Sequence, residues 1–293
     1  MSIIDGGWYH DPEAVEAILS TLEKPFFSEA GANLKETGKG KSAYLFNNFG
    51  KLNIPFPDPI QTTTGDCVSH ATSLAADTLS VTEIVNGERE RWVARSANEY
   101  IYHVSRVIIG KNRIRGDGSV NAWAAKGIAD YGTLRRLSYG PTNLTEYSAK
   151  RSRTWGSSQI PKELYDIAKP NNIADITLIK NFTEAADSLY NGYPIIVASN
   201  QGFSDKRDKD GFCSPQGSWA HSMAVLGYKD DDRPGVVICN SWASYLPGQN
   251  QWNLPPSAFF CDASVFDKMC KFNDTFALAG FNGFKKKADA RVI

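Results

Sequence analysis

The chain has 293 residues, 42% of them hydrophobic and 12% aromatic, with 32 Lys plus Arg balanced against 32 Asp plus Glu. Such apolar content can build a sizeable core and excludes an intrinsically disordered chain. The zero formal charge gives no electrostatic ground for nucleic acid or an anionic membrane as partner. No window approaches the roughly 18 consecutive apolar residues of a membrane span, and Met1-Ser2-Ile3-Ile4-Asp5 has neither the basic nor the apolar region of a secretory signal.

Residues 1–60 are expected to form an N-terminal extension, a short helix followed by an irregular segment. Asp11 is an N-cap candidate, Pro12 suits the first helical position, and Val15, Ile18, Leu19 and Leu22 share one face. From Phe26 to Pro59, Gly, Asn and Pro recur without periodicity, which predicts loops packed on the surface or folded over the body as a lid. Ala71, Leu74, Ala75 and Thr78 have helical spacing after Cys67 and predict a buried central helix. Tyr100, Ile101, Val104 and Ile108 predict a second helix interrupted at Gly110, and Ser119–Tyr131 a third, with Ser119 as N-cap and Gly132 ending it. From about residue 170 the pattern changes. A short capped helix over Thr183–Tyr190 is followed by strand-like runs at Pro194–Ser199, Met223–Tyr228 and Val236–Asn240, the last two linked by the turn-rich Lys229–Gly235. Helices first and strands second predict an α+β fold rather than alternating βαβ units.

The chemistry concentrates around Cys67. It follows Gln61-Thr62-Thr63-Thr64-Gly65-Asp66 and opens the predicted central helix, whose N-terminus would stabilise a thiolate. Gln61 could reach the same point as an oxyanion donor. Far downstream, His221 heads one apolar run and Asn240 ends the next, so pairing the two strands would bring a base and an orienting group together. His70 is the rival base, three residues beyond Cys67, but it lacks a partner like Asn240; His10 and His103 carry no supporting pattern. Asp66, beside the thiol, would oppose its ionisation unless it points away.

The order Gln61, Cys67, His221, Asn240 resembles the papain-like (cathepsin-like) cysteine peptidases. So do the triplet Asn240-Ser241-Trp242 and the stretch Gly116-Asp117-Gly118-Ser119 followed by Trp123–Gly132. The likeness runs from about Gln61 to about Trp242. The nucleophile's surroundings depart from the family pattern: Thr64-Gly65-Asp66-Cys67-Val68 keeps only the Gly and the Cys, and Ala220 stands where many members carry Asp. The resemblance is therefore to a remote member. It implies a two-lobed fold, with a helical lobe over about 61–170, an antiparallel β-rich lobe over about 171–293 and the cleft between them. It also implies hydrolysis of peptide or isopeptide bonds in a protein or peptide substrate. Cys67 would be the nucleophile, His221 the base, Asn240 its orienting group and Gln61 the oxyanion donor. Trp242 would shield the His–Asn bond and Gly116 and Gly118 would line the cleft, with no metal or organic cofactor.

The same triad would serve a related acyltransferase or a peptidoglycan amide hydrolase. With catalysis lost or incidental, the fold would serve as a structural or binding component of a larger assembly, a virus particle included. The five cysteines show no Cys-x-x-Cys spacing, and Thr64 stands where secreted family members carry a disulfide cysteine, so a reducing, cytoplasmic interior is expected. Cys213, Cys239, Cys261 and Cys270 are expected to be packed thiols rather than metal ligands. Asp205–Asp210 and Asp230–Arg233 are expected as solvated loops and Lys285–Lys287 as a basic tail.

Overall fold

The computed structural model describes residues 6–280, other than 33, 35, 58, 59, 88–90, 243, 244, 246, 249 and 251. In chain order the helices are α1 (Pro12–Leu19), α2 (Phe27–Ala30), α3 (Asn47–Lys51), α4 (Cys67–Val85), α5 (Asn98–His103), α6 (Asn121–Tyr131), α7 (Ala149–Trp155), α8 (Glu163–Ala168), α9 (Phe182–Tyr190) and α10 (Ala263–Cys270). The strands are β1 (Ser42–Tyr44), β2 (Ser138–Tyr139), β3 (Thr142–Asn143), β4 (Asp175–Leu178), β5 (Ile195–Arg207), β6 (Cys213–Lys229), β7 (Gly235–Cys239), β8 (Ala258–Asp262) and β9 (Phe276–Ala279). Most of the strands form one antiparallel sheet in the order β4-β9-β5-β6-β7-β8, with β1 added against β6. The architecture is the expected two-lobed α+β arrangement.

Helix α4 is the seam between the lobes. Its Val68, Ala71, Ala75 and Leu79 pack in one core with Ile101, Trp123 and Ile128 from the helical side and Ile196, Ala198, Phe276 and Leu278 from the sheet. A helix buried on every side would usually be apolar all round, yet α4 buries Thr72, Thr78 and Thr82. Each of these hydroxyls donates to the carbonyl four residues earlier, at 2.7–2.8 Å. Their burial therefore leaves no unpaired donor. The far face of the sheet is covered by α9 and α10, through Ala185, Leu189, Phe266 and Met269 against Val197, Val225 and Ile238.

Several local expectations are corrected. Helix α6 begins at Asn121, not at Ser119, because its free N–H groups are met from elsewhere: Asp274 accepts from Asn121 N at 3.0 Å and Ala122 N at 2.8 Å. Ser119 instead shares a 2.5 Å hydrogen bond with Ser105. The second predicted helix runs as α-helix only to His103 and continues as a π-helical stretch, Val104–Ile109, closed at Gly110. Helix α1 ends at Leu19, before Leu22. The stretch from Phe26 to Pro59 contains α2, α3 and strand β1, so it is not irregular throughout. Asp230–Arg233 is a loop with Asp231 and Asp232 exposed, as expected, and it is tied back to the body. Arg233 pairs with Asp208 at 2.6 Å and with Asp262 at 2.9 Å, and stacks 3.8 Å from the Phe212 ring. Asp205–Arg207 belongs to β5, and Lys285–Lys287 lies outside the described residues. All five cysteines are buried free thiols. Among the described residues no helix is long and apolar enough to cross a membrane.

Asp274 also accepts from Trp8 Nε1 at 2.7 Å, so one buried carboxylate caps α6 and holds the N-terminal segment. Asp274→Ala would strand three buried donors. It should lower stability by about 2–4 kcal/mol, read as a fall in the urea midpoint, with Asp274→Asn losing less because one carbonyl oxygen remains.

Candidate active site

Cys67 is the first residue of α4, which places its thiol at the helix N-terminus. His221 lies in β6 and Asn240 directly after β7, and the pairing of Ala224 with Cys239 brings their side chains together. His221 Nε2 and Asn240 Oδ1 are 2.8 Å apart. Asn240 Oδ1 also accepts from the main-chain N–H groups of Ser241 at 2.7 Å and Trp242 at 3.3 Å, which identifies that atom as the oxygen. Nε2 must then carry the proton, and the neutral ring presents Nδ1 as a free lone pair. Nδ1 is buried and has no hydrogen-bond partner.

Trp242 and Gln61 complete the group. The Trp242 ring stacks on His221 with centroids 4.2 Å apart and planes 28° from parallel. Gln61 Oε1 accepts from Trp242 Nε1 at 3.0 Å and from Ser241 Oγ at 3.1 Å, while Gln61 N donates to Ser241 O at 2.8 Å. This fixes the amide with Nε2 toward the loop before Cys67, where one N–H meets Thr64 O at 3.0 Å and leaves a second donor on the same nitrogen. Nothing in the sequence signals how tightly Gln61 is tied to the Asn240-Ser241-Trp242 segment.

The Gly116–Gly118 strip is held from behind. Arg106, buried in the π-helical stretch, donates to the carbonyls of Gly116 at 2.6 Å and Gly156 at 2.8 Å, and also to that of Gly118. The Gly118 N–H donates to Tyr102 Oη at 2.7 Å. Both glycines have positive φ, 80° and 113°, which an L side chain would resist. An arginine inside an apolar helical run was the one sequence signal for Arg106.

The electrostatics are those of a closed site. Burial pushes the Cys67 thiol up to about 12; a main-chain hydrogen bond from Ser222 opposes this, the Asp66 charge adds to it, and Val68 and Gly7 oppose it. Burial pulls His221 down to about 4 against the Asn240 hydrogen bond, with His70 adding to the fall. The resting pair is therefore neutral thiol and neutral imidazole. Asp66 turns into the helical lobe, where its Oδ2 accepts from Tyr147 at 2.9 Å and Ser152 at 2.5 Å. Its Oδ1 faces His70 Nε2 at 3.4 Å. His70 thus belongs to Asp66 and the edge of Tyr147. His103 bonds Trp155 O and Tyr165, and His10 packs on Trp8 and Phe272.

The N-terminal segment supplies what the sequence did not show. Gly7 N and Trp8 N donate to Ala220 O at 3.0 and 3.1 Å, Ser119 N donates to Gly7 O at 2.8 Å, and Tyr9 N donates to Ser119 O at 2.8 Å. Residues 6–9 therefore run from the wall beside His221, past Cys67, to the Gly118–Ser119 wall. Cys67, which the Gly7 N–H meets, is 0% exposed, as are His221 and Asn240.

No family model matches the sequence, and no curated protein sequence matches it. Solved structures do match. Xylellain, a cysteine protease from Xylella fastidiosa, is 14% identical with a TM-score of 0.56, over 95% of this chain and 99% of that one. The procathepsin B of Trypanosoma congolense is 13% identical with a TM-score of 0.56, over 94% of this chain and 85% of its own. Bromelain from Ananas comosus is 13% identical with a TM-score of 0.50, over 81% and 98%. The chain shares the two-lobed fold of these papain-like cysteine proteases, as a remote likeness.

Two outcomes follow from the charges. Because the folded value of His221 lies below its ordinary 6.5, the unfolded chain takes up that proton first. Stability from this group is present above about 6.5 and is lost as pH falls toward 4. Asp274, raised by burial from 3.8 to about 6, has the opposite slope, losing its contribution as pH rises through 6. That slope is common to a His221→Gln chain, so the wild-type-minus-variant difference in urea midpoint should shrink on acidification. Separately, Asp66→Asn should lower the pH at which alkylation of Cys67 reaches half its maximal rate.

Proposed function

We propose that the protein is a cysteine peptidase that hydrolyses peptide or isopeptide bonds. The observation that carries this reading is the single unpartnered nitrogen of His221, left over when Asn240 takes the other, in a site that also holds Cys67 at a helix N-terminus. His221 Nδ1 takes the Cys67 proton as Sγ attacks the substrate carbonyl carbon. The developing oxyanion is met by the second Gln61 N–H and the Cys67 main-chain N–H. His221 then gives its proton to the leaving amine, the C–N bond breaks and a thioester remains. Water, deprotonated by His221, releases the carboxylic acid and restores the thiol. Asn240 holds the ring in the required tautomer, and Trp242 keeps water off their hydrogen bond.

The shared fold of known cysteine proteases supports the same reading. A second reading, a fold kept for binding or assembly with silent chemistry, draws on the complete burial of Cys67. A thiol-directed epoxide separates the two. One label per chain at Cys67, lost in Cys67→Ser and slowed at least about 100-fold in His221→Ala, supports the enzyme; no label in the folded protein supports the silent fold. On a cleaved peptide, Gln61→Ala should lower turnover about 10²–10³-fold while His70→Ala leaves the chemistry in place. Turnover lost with His70→Ala and kept with His221→Ala would reverse the choice of base.

A further inference from the structure

The passage over Cys67 is one main chain wide. A Cβ added to Gly6 would lie 1.6 Å from Ala220 O, and one added to Gly7 would lie 2.2 Å from Gly65 O. Both obstacles are main-chain carbonyls, which cannot swing aside as the tip of a side chain can. Neither wall is loose. Ala220 lies in β6 beside His221, which pairs with Ser199 of β5. Gly65 is tied to the helical lobe by its N–H to Asp117 at 3.1 Å. The slot grips its occupant by main-chain hydrogen bonds, from Gly7 N to Ala220 O and from Ser119 N to Gly7 O, the mode in which affinity comes from the backbone and specificity from the space allowed to side chains. Here that space is nil at two successive residues. Past them the walls open: Trp8 has a full indole seated on Asp274 and packed edge-on to Phe272.

Resting on the peptidase reading of this site, we propose that its substrates are peptides that pass Cys67 with a Gly–Gly pair whose first glycine turns into the left-handed region, as Gly6 does at φ 47°, and that the protein's own Gly6–Gly7 occupies that slot as a competing ligand. A peptide with side chains at those two positions meets the carbonyls of Gly65 and Ala220. The bond attacked is one that joins or borders these glycines, and its hydrolysis proceeds by the steps given above, with water as the only co-reactant.

The full-length chain tests this. Gly7→Val and, separately, Gly6→Val should push the strand out of the slot and raise the rate of Cys67 alkylation by iodoacetamide about 10- to 100-fold. Two variants guard against one failing to fold. A synthetic peptide matching residues 3–10, added to either variant, should slow alkylation again, and the same peptide with alanine at both glycine positions should not. A peptide library offered to the variant should be cut at least about tenfold faster at Gly–Gly than at Ala–Ala sequences. Unchanged alkylation in both variants, equal protection by the two peptides, or cleavage indifferent to Gly–Gly would each overturn the inference while leaving the peptidase reading intact. Selective protection with no peptide cleaved would instead overturn the peptidase reading, and the Gly–Gly slot would stand as a binding site only.

Discussion

The hydrogen bond from His221 Nε2 to Asn240 Oδ1 is the contact on which the rest of the site depends. It joins neighbouring strands of the sheet, sets which ring nitrogen is protonated and leaves the other without a partner. Two main-chain N–H groups hold the Asn240 oxygen in place, and the residues that supply them, Ser241 and Trp242, also hold Gln61. His221, Asn240, Trp242 and Gln61 are thus a single hydrogen-bonded unit. A shift of any member reaches the others through bonds of ordinary length, so the group is held in one geometry.

The unit is assembled in a place hostile to charge. Burial opposes both the thiolate and the imidazolium, and the Asp66 carboxylate adds to the first effect. What offsets this is modest: the helix N-terminus and a few main-chain N–H groups directed at the sulfur. The resting site is therefore assembled but not ionised. Admitting water or a polar ligand would relieve the burial that acts most strongly on both groups, so opening of the cleft and ionisation of the thiol are coupled through solvation. Asp66 does not spoil the site outright because Tyr147, Ser152 and His70 draw its oxygens toward the helical lobe.

The fold class was legible because its signals are local. Helical spacing after Cys67 marked α4, and two apolar runs joined by a turn-rich link marked the β6–β7 hairpin that sets His221 against Asn240. What escaped the sequence depends on distant partners. Asp274 caps α6 from 153 residues away, so no motif at Ser119 or Asn121 could show where that helix starts. Strand β1 sits in a segment rich in Gly and Asn, and is a strand only because Tyr228 and its neighbours in β6 present an open edge. Arg106 interrupts an apolar run, and its part is visible only where the carbonyls of Ile114, Gly116, Gly118 and Gly156 converge on it. The likeness in the order of the site residues was readable; the strand over Cys67 was not, because main-chain hydrogen bonds leave no pattern in side chains beyond two adjacent glycines.

Those glycines and the tryptophan after them divide one segment into two parts with different physics. Trp8 is anchored by a buried hydrogen bond to the carboxylate that also caps α6, so releasing it would cost the helical lobe a cap as well as an aromatic contact. Gly7 is held chiefly by main-chain bonds to Ala220 and Ser119, and an incoming peptide backbone can replace each of those bonds with one of the same kind. Exchange at the slot is then close to neutral in hydrogen bonding, and the anchor at Trp8 keeps the displaced glycines tethered beside the cleft at high effective concentration. A substrate would therefore have to match the main-chain fit of the tethered pair, and a slot that admits no Cβ favours the peptide that resembles that pair most closely.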